Sequence, residues 1–135
     1  MGTLLDQVVV QLSDTREITL TELLGAWRAH VARIHDELGF DRDVGWTAHD
    51  LVAALLLRDR IEDVLAPQPA PVRFEAAEAI AGADATFAEM TVQDADRVVR
   101  RFAENVDASG WWWSRLPRSG PIRADLDDWR RRQLG

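Results

Sequence analysis

Capped helical stripes dominate this chain and set what it can fold into. Thr19-Leu20-Thr21-Glu22 has the form in which a Thr hydroxyl and a Glu three residues on satisfy each other's free backbone donors. Leu20, Leu24, Trp27, Val31, Ile34 and Leu38 then recur at steps of three and four, and Gly39 supplies a left-handed stop. A second start lies at Thr47, with Asp50 at the third helical position and Trp46 placed to clasp Leu51 across the cap. Leu51, Val52, Leu55, Leu56 and Leu57 give that helix a broad apolar face, suited to a central position.

The spacing predicts three further helices. One covers about 72–90, with Phe74, Ala77, Ile80, Phe87 and Met90 inward and Gly82 as a break or kink. The next is capped by Thr91, carries Ala95, Val98, Val99, Phe102 and Val106 on its stripe, and stops at Ser109-Gly110. The last starts at Pro121 and turns Ile122, Leu126 and Trp129 inward, with its acids ahead of Arg130-Arg131-Arg132, as the helix dipole prefers. Residues 66–71 alternate proline with small residues and read as a stiff extended connector, internal to one helical domain spanning 1–135. For residues 4–18 the stripe Leu4, Leu5, Val8, Val9, Leu12 favours a helix. A short hairpin turned at Ser13-Asp14-Thr15 is the other fit. The expected fold class is all-α: an antiparallel bundle of about five or six helices, with that N-terminal β-hairpin as its one variant.

Composition narrows the chemistry. The 135 residues contain no Cys, which removes disulfides, thiol nucleophiles and cysteine metal sites and fits a cytoplasmic setting. The opening Met1-Gly2-Thr3-Leu4-Leu5-Asp6 has no basic region, so no signal peptide is expected, and the apolar run Leu51 to Leu57 ends at once in Arg58-Asp59-Arg60, so no membrane span is expected. The net charge is −7, from 23 acids against 16 bases that are all Arg. That balance disfavours nucleic-acid backbones and accommodates a cationic protein partner.

Catalytic patterns are scarce. His30 and His35 are five apart, about 140° around a helix, too far to chelate one ion, and His49-Asp50 sits at a helix start, so neither a metal nor a cofactor is implied. The four serines fall at turns or caps with no nucleophile elbow, and no glycine run forms a phosphate loop. The pairs Asp41/Asp43, Asp59/Asp63, Asp94/Asp96 and Asp125/Asp128 read as solvated charged surface.

What stands out is Trp111-Trp112-Trp113, half of the six tryptophans. The favoured reading of the run is a roof on the core; in an extended segment Trp111 and Trp113 share a side and Trp112 faces away, so if those two pack inward Trp112 is the expected exposed anchor. Together with Arg115, Pro117, Arg118 and the acids Asp125 and Asp128, the run has the make-up of an interface centre.

In size, acidity and absence of catalytic motifs the chain resembles many bacterial immunity and antitoxin-type inhibitors, a similarity of composition alone. The function expected from these features is a non-catalytic protein-binding module. The competing readings are a small-molecule binder or enzyme with an inter-helix pocket walled by Trp27, Trp46 and the Trp run, and a homodimer built on the same tryptophans.

Overall fold

A computed structural model describes residues 4–41, 44–104 and 106–134. Asp43 of the acidic pairs and Met1 to Thr3 of the opening segment lie outside them. The fold is mostly helical, with five α-helices and two small antiparallel strand pairs. The helices are α1 (Leu20–Asp36), α2 (Ala48–Leu65), α3 (Ala70–Met90), α4 (Val98–Ala103) and α5 (Gly120–Leu134). The strands are β1 (Val9–Ser13) with β2 (Arg16–Thr19), and β3 (Thr91–Gln93) with β4 (Arg115–Pro117).

The two strongest cap signals are used as their chemistry requires. Thr19 accepts from the Glu22 N–H through its side chain at the start of α1, and the Asp50 carboxylate accepts from the Thr47 N–H at 2.8 Å at the start of α2. Helix α1 then lies against both α2 and α3, and α5 covers α2 and α4. The buried face of α1 is Leu20, Leu23, Leu24, Trp27, Val31 and Ile34. The core reaches from Leu5 to Leu126 and draws on every helix.

Several expectations change: α1 ends at Asp36, and Gly39 lies in a 3₁₀ turn over Glu37–Gly39 with no left-handed backbone. Residues 9–19 form the hairpin, preceded by a 3₁₀ turn over Leu4–Gln7, and the helix favoured there does not form. The β-branched run pairs Val10 with Ile18 and turns at Asp14-Thr15, where the pleat suits branched side chains better than a helical turn does. The extended connector shrinks, because Ala66 is still helical in backbone and α3 begins at Ala70 with Pro69 as its cap and Pro71 in its first turn. Proline's missing N–H costs nothing there. Thr91 opens a strand, not a helix. The Asp94 carboxylate does the capping, accepting from the Val98 and Val99 N–H groups at 3.0 and 2.9 Å, so α4 is short. On α3, Phe74 and Ala77 are exposed, while Val72, Ala76, Ile80, Phe87 and Met90 form the buried stripe. Gly82 sits mid-helix without ending it.

Strands β3 and β4 pin the segment that carries the tryptophans. Thr91 pairs with Pro117, Val92 with Leu116 and Gln93 with Arg115, which fixes both of its ends. Gly120, at φ +92°, turns the chain from β4 into α5. A side chain there would strain the backbone and place its Cβ 2.7 Å from the Glu37 carbonyl oxygen.

Candidate functional site

The three tryptophans occupy a single 3₁₀ turn, Trp111–Ser114, between the loop that follows α4 and strand β4. A 3₁₀ turn advances each residue by about 120°, so three successive indoles point in three directions and the strand alternation does not apply. Trp113 is fully buried and Trp112 is 5% exposed, whereas Trp111 is 43% exposed. The expected exposed anchor, Trp112, is therefore inside, and Trp111 takes its place at the surface. Trp112 packs so closely over Gly110 that a Cβ there would meet its ring at 2.2 Å, which is why the turn starts at glycine.

Two adjacent residues of α2 receive this turn. Asp59 accepts from both buried indole N–H groups, Trp112 Nε1 at 2.8 Å and Trp113 Nε1 at 3.0 Å, through the same Oδ1. Arg58 places its guanidinium 4.4 Å from the centroid of the Trp112 ring. The same guanidinium donates to Asp84 of α3 at 3.1 and 3.0 Å and to Glu62 at 2.6 Å. Burial on its own pulls the Arg58 pKa down; hydrogen bonds and charge from Asp84 and Glu62 more than offset it, and the net direction is upward. Asp84 also accepts from Trp27 Nε1 at 2.9 Å. Neighbouring residues on a helix point about 100° apart, so the Arg58-Asp59 pair ties α2 to α3 on one side and to the Trp turn on the other.

Beside this framework lies an open groove of about 760 Å³. Leu56, Val106, Trp111 and Trp112 give it apolar surface, and among its described lining residues Asp59, Glu62, Asp63 and Asp107 make it acidic against one cation, Arg60. Arg60 reaches the Gln11 carbonyl at 2.5 Å. Leu56 is 44% exposed, so an exposed indole and an exposed Leu share one acidic depression.

The other residues expected at an interface are not gathered with the tryptophans. Arg115 donates to the carbonyls of Ala88 and Thr91 and to the Thr91 hydroxyl, closing the C-terminal end of α3. Arg118 donates to the Glu89 carbonyl at 3.1 Å. Asp125 accepts from the Ala48 N–H at 2.8 Å at the start of α2, and Asp128 pairs with Arg131. What sequence reasoning missed are Asp59 and Asp84, taken for solvated charges in one case and passed over in the other. The available signal was the indole itself, since a buried indole N–H requires an acceptor.

The histidines are spread apart. His30 packs tilted against Trp46 with ring centroids 5.2 Å apart, His49 likewise against Phe102 at 4.9 Å, and His35 lies 3.9 Å from Asp36. Among the described residues no three His, Asp or Glu side chains converge to hold a metal ion, and no helix is long and apolar enough to cross a membrane. Comparison with protein-family models, with curated proteins and with solved structures gives no match to this chain.

Proposed function

We propose that this protein is a non-catalytic protein-binding module, an acidic inhibitor of the immunity type, that presents the groove beside α2 to a cationic protein partner. The observation that carries the reading is Trp111, nearly half exposed on a turn whose other two indoles are buried, beside four carboxylates. Exposed Trp anchors held by rigid neighbours contribute strongly to binding because they bury large area at little entropic cost. In this reading the chain acts as a single helical domain, an antiparallel bundle in a reducing, cytoplasmic setting. Arg115, Arg118 and Asp125 serve the frame, and Trp111 serves the partner. The small-molecule reading is weaker, because Trp27 is fully buried and bound to Asp84 and so walls no open pocket.

The test begins with partners captured on the immobilised chain, each then purified and titrated calorimetrically against wild type and Trp111→Ala. A loss of about 2 kcal/mol, roughly 30-fold in Kd, is expected for the variant. Equal affinity for both proteins refutes the assignment. So does a dimer seen by sedimentation that Trp111→Ala dissociates, since the indole then serves self-association.

A further inference from the structure

The chain builds one three-part contact twice among its described residues: an indole face, an Arg guanidinium over it, and a carboxylate that fixes the guanidinium. In the first, Arg33 lies 4.8 Å from the centroid of Trp46 and its Nε donates to Glu37 at 2.5 Å. In the second, Arg58 lies 4.4 Å from Trp112 and donates to Glu62 and Asp84. Among the described residues Trp111 has the indole and the groove's carboxylates but no guanidinium over its ring. The carboxylates of Asp63 and Asp107 line the groove with it and make no hydrogen bond or ion pair with a described residue. Arg60, the one Arg among the groove's described residues, is directed to the Gln11 carbonyl. The Trp111 ring is itself held, edge-on to Trp112 at 5.8 Å and tilted against Phe87 at 6.0 Å.

We infer that the groove receives an arginine side chain of the partner protein, stacked on Trp111 and paired by Asp63 and Asp107. This rests on the protein-binding reading above and names the chemistry of its partner. Glu62 is already paired with Arg58 and Asp59 with the buried indoles, so charge complementarity favours a cation at Asp63 and Asp107. The indole selects arginine over lysine, because a planar, weakly hydrated guanidinium stacks on an aromatic face and can still bond a carboxylate in its plane, whereas an ammonium is a strongly hydrated point charge. A ring already fixed by two neighbours loses little freedom when the guanidinium arrives.

The experiment uses the full chain, uniformly labelled with nitrogen-15, and reads its indole N–H resonances, Trp111 being assigned by Trp111→Phe. The probes are acetyl-Gly-Arg-Gly-amide and acetyl-Gly-Lys-Gly-amide, at low and at high salt. The arginine peptide shifts the Trp111 resonance and leaves Trp27 and Trp113 in place. The lysine peptide binds about three-fold more weakly, and Asp63→Asn with Asp107→Asn weakens the arginine peptide about five-fold while the Trp112 and Trp113 resonances stay where they are. Equal binding of the two peptides, an unmoved Trp111 resonance, or unchanged affinity in the double variant overturns the inference. A purified partner that loses affinity on Trp111→Ala but not on replacement of its contacting arginines by lysine also overturns it and leaves the binding module standing. Arginine-selective peptide binding with no effect of Trp111→Ala on the purified partner removes the module and keeps the arginine site.

Discussion

Asp59 is the residue at which the tryptophan turn is most open to test. Replacing it by Ala leaves two indole N–H groups without an acceptor, one on a fully buried ring and one on a ring 5% exposed. An orphaned buried donor costs about 1 to 3 kcal/mol. The two together set a ceiling near 6 kcal/mol, but Asp59 also borders the open groove, so water entering the vacated space offsets part of the loss. Relief of repulsion with Asp63, one helical turn on, returns only a few tenths. The expected net effect is about 2 to 4 kcal/mol. At about 3 to 4 °C per kcal/mol for a chain of this size, that is a fall in Tm of roughly 6 to 16 °C. Asp59→Asn keeps the carbonyl oxygen on which both indoles converge and gives up only the charge, so it should cost about 1 kcal/mol. Urea titration followed by Trp fluorescence and far-UV circular dichroism measures both. If Asp59→Ala stays within half a kcal/mol of wild type, or if Asn is as damaging as Ala, the shared acceptor does not hold the turn.

Trp112→Ala and Trp113→Ala should each cost about 3 to 5 kcal/mol as cavity-forming changes, while Trp111→Ala should cost under about 1.5 kcal/mol; denaturation of the three variants decides, and equal losses at all three would put Trp111 in the core. Gly120→Ala should destabilise by about 1 to 3 kcal/mol, because it forces alanine into a left-handed backbone against the Glu37 carbonyl. A Gly120→Ala protein melting with wild type would refute that geometry.

Much of the fold is legible in the sequence where a cap and a stripe coincide. Thr19 and Thr47 open helices whose buried faces hold Leu24, Trp27, Leu51 and Leu55. Legibility fails where two periods fit the same residues, as in Val8-Val9-Val10, whose apolar run satisfies a helix and a strand equally. It fails again for β3 and β4, since three residues are too few to display a period and their pairing spans the whole of α4. The candidate site is legible by composition, because the Trp run is visible, but not by orientation. Which indole faces out depends on a 3₁₀ turn and on Asp59, and an acid within an apolar helix carries no local sign of a partner more than fifty residues away.

That separation has a kinetic side. The bonds from Trp112 and Trp113 to Asp59 close loops of 53 and 54 residues, and the bond from Trp27 to Asp84, which joins α1 to α3, closes one of 57. Long loops are entropically expensive before their contacts form, so contacts of this separation slow folding relative to a helical chain held by local contacts alone. Interactions missing from the transition state leave the folding rate alone and slow unfolding. The folding and unfolding rates of Asp59→Ala therefore place the turn: faster unfolding at an unchanged folding rate makes it a latch on the lifetime of the native state, and slower folding makes it part of the nucleus. With no Tyr in the chain, intrinsic emission comes from its six indoles alone, and three of them ride on that turn and report its docking directly.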